Sequence, residues 1–251
     1  MIENDEQLAL RLAKTAGRIL LDLRKMGNAS GKALGKAGDA AANEMLCREL
    51  RTARPNDALL SEEEKDNLTR LSFGRVWIVD PLDGTREYGE GRSDWAVHVA
   101  LAVNGAATVG AVALPGLDIA LTSEKPLPLH PANAPPRMLV SRTRPAAEAV
   151  FVAERLGAEL VAMGSAGAKA MAVVRGEADI YLHTGGQYEW DNCAPVAVAA
   201  AAGLHVSRVD GSPLHYNNTD PYLPDLLICR KELADRALQL VAQYSAPEVT
   251  R

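Results

Sequence analysis

The segment Val76-Trp77-Ile78-Val79-Asp80-Pro81-Leu82-Asp83-Gly84-Thr85-Arg86-Glu87 passes from an apolar run into two aspartates, a proline and a glycine. Four consecutive large apolar side chains predict a buried strand. Proline cannot donate to a sheet ladder, so the strand is expected to end at Asp80 and the chain to bend out of the sheet there. A helix beginning near Gly84 would bring the carboxylates of Asp80 and Asp83 to one point at its N-terminus. The amides of Gly84 and Thr85 would lack helical acceptors and, with the positive end of the helix dipole, form a site for phosphate oxygens. Carboxylates and phosphate share a place only with cations between them. Magnesium suits this pattern, because it takes oxygen ligands and commonly joins one or two carboxylates to a phosphate while keeping several waters.

Further acidic residues stand at the ends of other expected elements. Glu62 and Glu63 follow the short apolar run Ala58-Leu59-Leu60, and Asp191 opens an Ala-rich stretch, Asp191 to Ala202, that closes at Gly203 as a helix would. Taken singly, Asp-Pro-x-Asp-Gly can be only a turn, Glu62 to Glu64 only a solvated loop, and Asp191 only an N-cap. Their joint occurrence at element ends makes them a candidate cation site.

Outward from these motifs, Leu8, Leu12, Ile19 and Leu23 recur at helical spacing behind an Asn4/Gln7 capping box, which predicts a long amphipathic opening helix. A Gly-rich turn from Gly27 to Gly38 and a helix from Asp39 to Arg51 are expected next. Trp95, Val97, Val99, Leu101 and Val103 alternate with smaller or polar residues up to Asn104-Gly105, the signature of a strand entering a hairpin. Five prolines between Pro126 and Pro136 suggest a boundary at 126–136 between an N-terminal half, 1–125, carrying the metal and phosphate motifs, and a C-terminal half, 137–251, carrying the substrate segment and Asp191. In the second half Met138 to Val140, Leu160 to Ala162, Ile180 to Leu182 and Leu226 to Ile228 read as strands, and Pro145 to Leu156 and Ala166 to Arg175 as helices. The class is therefore α/β (α+β) with mixed sheets.

Composition narrows the partners. A chain of 251 residues with 47% hydrophobic and 24% charged residues can bury a sizeable core, as one domain or two closely packed halves. Its formal charge of -5 and lack of a basic run argue against nucleic acid or an anionic membrane surface as partner. Met1 to Met26 is interrupted by Arg11, Lys14, Arg18 and Arg24, so neither a signal peptide nor a membrane span is expected, and the location read from it is the cytoplasm. Cys47, Cys193 and Cys229 are scattered, without CxxC spacing, and suit reduced thiols buried as small hydrophobes. The five histidines are equally dispersed, so carboxylates would have to hold any metal.

Together, Ser61-Glu62-Glu63, Asp80-Pro81-Leu82-Asp83-Gly84-Thr85 and Trp190-Asp191-x-x-Ala194 followed by Ala202-Gly203 resemble, in order, the three signatures of the inositol monophosphatase superfamily. Asp39 falls where that family has an aspartate upstream of its glutamate pair, although Lys36-Ala37-Gly38 replaces the usual preceding Thr-Ala. The resemblance implies a layered αβαβα sandwich with metals between its halves and two or three Mg2+ ions. Glu62, Asp80 and the carbonyl of Leu82 would hold one ion, and Asp80, Asp83 and Asp191 a second; a third, weaker ion would share Glu62. It also implies a metal-activated water as nucleophile, oriented by Thr85 paired to Asp39, so that Thr85, Asp39 and Glu62 form the catalytic set, with Gly84 and Thr85 on the phosphate. Sensitivity to lithium goes with this family.

Within the superfamily, Asp83-Gly84-Thr85-Arg86-Glu87-Tyr88 is similar to the Asp-Gly-Thr-Lys-Glu-Phe of the CysQ-type nucleotidases. Gly164-Ser165 with Lys169 downstream, and Val140-Ser141-Arg142, resemble their substrate segments, although Thr143-Arg144 replaces the usual Ser-His. The inositol enzymes carry a glutamate seven residues before the aspartate of their last motif, where this chain has Thr184. The activity implied is hydrolysis of 3'-phosphoadenosine 5'-phosphate to AMP and phosphate, a by-product of sulfate assimilation, with Ser165, Lys169, Ser141 and Arg142 on the substrate. Inositol-1-phosphatase or fructose-1,6-bisphosphatase activity is the alternative, and a non-catalytic metal- and nucleotide-binding sensor the reading from another class. The partner expected is a small phosphomonoester; self-association into a homodimer is left open.

Overall fold

The computed structural model describes residues 3–245; the first two positions of the opening segment and the last six of the C-terminal half lie outside the described residues. Helix α1 (Asp5–Met26) carries the Asn4/Gln7 capping box and ends at Gly27 in the left-handed conformation, and it buries Leu8, Leu12, Ala16 and Leu20 on one face. Helix α2 (Gly31–Ala53) begins eight residues earlier than expected, so Gly35 and Gly38, read as part of a turn, lie inside it. They serve close packing instead. A Cβ on Gly35 would stand 2.5 Å from Thr85 Cγ2, and one on Gly38 would stand 2.8 Å from Leu20 Cδ2.

Strands β1 (Ala58–Ser61) and β2 (Arg75–Asp83) pair in parallel. Contrary to expectation, β2 does not end at Asp80 but runs through Pro81 to Asp83. Its pairing with the next strand shifts register between Asp80 and Asp83, so the missing proline donor falls in the irregular stretch where no ladder bond is needed. The short helix α3 (Thr85–Gly89) follows, then β3 (Ala96–Val103) and β4 (Ala106–Leu114), joined by the Asn104-Gly105 hairpin with φ of 50° and 82°, and β5 (Ile119–Thr122). These strands form a sheet of order β1-β2-β3-β4-β5.

The rest of the chain comprises β6 (Arg137–Ser141), α4 (Ala147–Leu156), β7 (Glu159–Met163), α5 (Ala166–Val174), β8 (Ile180–His183), β9 (Gln187–Tyr188), α6 (Glu189–Ala201), β10 (His205–Ser207), β11 (Tyr222–Leu223), β12 (Leu226–Cys229) and α7 (Lys231–Ser245). A second five-stranded sheet, β10-β12-β8-β6-β7, contains both parallel and antiparallel pairs. Helix α7 was not anticipated, although its buried Ala234, Ala237, Leu240 and Val241 keep helical spacing.

Alternation along the strands assigns the layers. Trp77 and Val79 face α1 and α2, whereas Val76 and Ile78 face a central core shared with α5, α6 and the inner face of the second sheet. The outer face of that sheet, Met138, Val140, Ile180 and Leu182, packs on α4 and α7. The result is a five-layer αβαβα sandwich, as the resemblance implied. No helix among the described residues is long and apolar enough to cross a membrane, and all three cysteines are buried and unpaired.

Candidate active site

Asp80 and Asp83 stand at the end of β2, and Asp191 is the third residue of α6 in the central layer; α6 begins at Glu189, so Asp191 is not its N-cap. Asp191 reaches back to accept the Tyr188 N–H at 2.6 Å. Carboxylate oxygens of Asp80, Asp83 and Asp191 lie within 4.8 Å of one another. Ligands on opposite sides of a magnesium ion stand about 4.2 Å apart, given Mg–O distances of 2.0–2.1 Å, so the three fit one ion with a small contraction. The β1–β2 register, Ser61 opposite Val79, sets Glu62 beside Asp80, and the Glu62 N–H donates to the Val79 carbonyl at 3.3 Å. Asp80 accepts the Leu82 N–H at 2.9 Å, and the Leu82 carbonyl accepts the Thr85 hydroxyl at 3.1 Å.

Asp83 is the most firmly held of these acids. It accepts the Ser165 hydroxyl at 2.5 Å, the Gly167 N–H at 2.6 Å and the Ala166 N–H at 3.1 Å, and thereby caps α5 from the end of β2. His98, fully buried on β3, adds a longer contact at 3.3 Å through Nε2, which forms no complete hydrogen bond, while its Nδ1 stands 2.9 Å from the Trp190 carbonyl. Sequence reading missed His98; its only signal there is a lone polar residue on the inward face of an apolar alternation.

Asp39 sits in the middle of α2, not at a helix start, with its carboxyl beside Thr85 and with Oδ1 buried and without a partner. Thr85 has one hydroxyl proton, which the Leu82 carbonyl and Asp39 both compete to accept. Helix α3 spans only five residues, so phosphate contacts at Gly84 and Thr85 would depend on individual N–H groups rather than on a large dipole.

Electrostatics separate the acids. Burial pushes the Asp83 carboxyl up, but His98, Ser165 and the Gly167 N–H outweigh it and bring the pKa down to about 2. Burial and the neighbouring Glu62, Asp83 and Asp191 charges raise Asp80 well above the usual range. Burial, then Asp83, raises Asp191 to about 6, and burial, then Glu63, raises Asp39 to about 7. Glu62 is raised to about 7 by burial of its carboxylate and by Asp191 and Asp39, against an opposing effect of the Asp80 carboxyl. Water reaches Glu62, whose residue surface is exposed, so the upward push on it is weaker than on Asp80.

A carboxylate whose folded pKa is raised binds more protons in the native than in the unfolded state, so stability falls as pH rises between the two values. The metal-free protein should therefore lose stability from about pH 4 to about pH 7, the window set by Glu62, Asp39 and Asp191. Magnesium should raise Tm more at pH 8 than at pH 5. Melting curves with EDTA and with Mg2+ at both pH values check this, and an equal Mg2+ effect at both would count against a cation-dependent acid cluster.

Beside the acids lies a cleft of about 560 Å³ lined by Arg86, Arg142, Arg144, Ser141, Ser165 and Lys169, among others. Lys169 is only 6% exposed, buried rather than solvated. Its ammonium donates to the Ser165 carbonyl at 2.6 Å, with the Gly164 carbonyl at 3.4 Å, and lies over the Tyr181 ring. Arg142 is paired at 2.8 Å with both Glu87 and Glu90. Thr184 donates to Glu148 at 2.9 Å.

A five-layer sandwich with a carboxylate cluster where its middle layer meets the first sheet, beside a cation-lined cleft, has the architecture of a metal-dependent phosphate-handling protein. The Inositol monophosphatase family matches residues 2–246, and the chain belongs to that family. It is 48% identical to the 3'-phosphoadenosine 5'-phosphate phosphatase of Mycobacterium leprae over 95% of this chain and 94% of the relative. It is 51% identical to the protein of that name from Mycobacterium bovis, over 90% and 89%. Among solved structures, CysQ from Bacteroides thetaiotaomicron, a bacterial member of the same family, superposes with a TM-score of 0.80 at 25% identity, covering 91% of this chain and 98% of that one.

Proposed function

We propose that this protein is a magnesium-dependent phosphomonoesterase that hydrolyses 3'-phosphoadenosine 5'-phosphate to AMP and phosphate. The observation that carries the reading is the juxtaposition of Asp80, Asp83 and Asp191 with a cleft containing the buried Lys169. The relatives' names give the substrate, and a substrate with two phosphates suits one phosphate at the carboxylates and the other in the cleft.

In this reading Asp80, Asp83 and Asp191, with Glu62 and the Leu82 carbonyl, hold two or three Mg2+ ions. Bound there, they would activate a water, neutralise the phosphoryl oxygens and stabilise the leaving group. The chain's own groups do the positioning. Asp39 keeps the Thr85 hydroxyl oriented toward the reacting phosphate, and its raised pKa of about 7 suits it to take up a proton near neutral pH. The N–H groups of Gly84 and Thr85 would bind equatorial phosphate oxygens. Ser141, Ser165 and Arg142 were expected on the substrate. Arg142 is already neutralised by Glu87 and Glu90, so Lys169 carries more of the second phosphate. Thr184, with no carboxylate of its own, disfavours inositol-1-phosphate. Lithium inhibition and a cytoplasmic location belong to the same reading.

Phosphate release from 3'-phosphoadenosine 5'-phosphate, inositol-1-phosphate and fructose-1,6-bisphosphate, with and without Mg2+, tests it; equal or greater turnover of either competitor would overturn the substrate. Lys169→Met keeps an unbranched side chain of similar length and removes the charge that lies over Tyr181. A charge-assisted hydrogen bond contributes about 1.5–3 kcal/mol, so kcat/KM for the bisphosphate should fall roughly ten- to a hundredfold or more. The loss for a substrate with a single phosphate should be much smaller. Equal losses would place Lys169 in support of the common centre.

A further inference from the structure

Ser165 combines three features that nothing in its expected role as a substrate contact explains. Its backbone has φ 54° and ψ 137°, a conformation that L-residues with a Cβ rarely adopt and that persists only where the surroundings impose it. Its hydroxyl proton is committed to Asp83 at 2.5 Å, and the same oxygen accepts the Ala168 N–H at 2.9 Å, so it has no proton left for a phosphate. Its carbonyl receives the Lys169 ammonium at 2.6 Å.

The three features are connected. The unusual φ turns the chain so that the Ser165 hydroxyl and the next two amides, Ala166 and Gly167, all converge on one carboxylate, Asp83. A regular N-cap, with extended backbone, would direct its side chain at its own helix alone. The approach is close on the other side as well, because a Cβ on Gly84 would lie 3.1 Å from Ser165 Cβ. The carbonyl, turned the opposite way, meets Lys169 in the cleft.

We propose that Ser165 is a positioning residue rather than a substrate ligand: its hydroxyl, aimed by the unusual backbone, fixes the orientation of the Asp83 carboxylate for the cation, while its carbonyl anchors Lys169 for the second phosphate. This rests on the reading of Asp83 as a cation ligand. Groups that hydrogen-bond a ligating carboxylate without touching the metal set its orientation, and their loss typically weakens metal binding about 10–100-fold.

Two substitutions separate this role from a merely structural one. Ser165→Ala removes the hydroxyl and keeps the strain; Ser165→Gly removes the hydroxyl and relieves the strain, since glycine accepts positive φ freely. Calorimetric titration of the metal-free proteins with MgCl2 should show both variants binding Mg2+ about 10–100-fold more weakly than wild type, and to a similar extent. Tm, by contrast, should divide them, with Ser165→Gly a few degrees above Ser165→Ala. Wild-type Mg2+ affinity in Ser165→Gly would overturn the proposal, as would a Mg2+ loss that follows Tm, small in Gly and large in Ala. If wild-type protein itself takes up no Mg2+, the cation reading of Asp83 fails first and the proposal with it.

Discussion

Replacing Asp83 with asparagine should reduce kcat by roughly 10³-fold or more, because a cation ligand supplies several kcal/mol to the transition state and each 1.36 kcal/mol is tenfold. It should also destabilise the fold. Asp83 is buried, and three donors from the α5 turn converge on it. Asparagine offers one acceptor oxygen and would turn an NH2 group toward at least one of them. The depressed pKa of about 2 has the same meaning: relative to the unfolded value of 3.8, the ionised carboxylate contributes about 2 kcal/mol above pH 4, lost as pH falls toward 2. For a chain of this size such a loss lowers Tm by roughly 4–8 °C. A variant with wild-type Tm at pH 8 would show that the bridge from β2 to α5 carries no net stability, and near wild-type kcat at saturating Mg2+ would remove Asp83 from the cation site.

Asp191→Asn should lose activity to a similar degree but change stability in the opposite direction. Asp191 accepts the Tyr188 N–H, a bond that asparagine can still accept. Its pKa is raised to about 6, by burial first and by Asp83 next, so its ionised form opposes folding when no cation is present. At pH 8 the metal-free variant should therefore be more stable than the metal-free wild type by about 1–3 kcal/mol. Near pH 5 the difference should fall to roughly half, and it should nearly vanish only below the unfolded value of 3.8. Saturating Mg2+ should reverse the order. Melting curves in EDTA at the two pH values measure the effect, and a lower Tm for the variant at pH 8 would refute the electrostatic assignment.

Glu87 and Glu90 show why charge near the cleft cannot be counted from composition. Arg142 lines the cleft, but both acids hold it from α3 and the turn after it, while Lys169 lies buried against carbonyls and an aromatic ring. The local field depends on which charges neutralise each other between segments distant in sequence; Arg142 and Glu87 are 55 residues apart in the chain.

What the amino-acid order alone determined was chemistry tied to local spacing. Val76 to Val79 had to be a buried strand, Asn104-Gly105 a hairpin turn, and Asp80, Asp83, Glu62 and Asp191 acids at element ends, because hydrophobic period, turn residues and short-range reach are set within a few positions. The opening capping box was legible for the same reason. Tertiary structure decided whatever depends on contact between distant segments. Gly35 and Gly38 read as turn residues, yet they lie within α2 because α1 and α3 pack too closely for a side chain there. Pro81 read as a strand end, yet β3 accommodates it by a register shift. His98 shows locally only as a lone polar residue in an apolar alternation, and the positive φ of Ser165 leaves no local trace. The central layer brings Ser165 to Asp83, and the neighbouring strand β3 brings His98, so both meetings depend on how strands pair and layers stack rather than on local sequence.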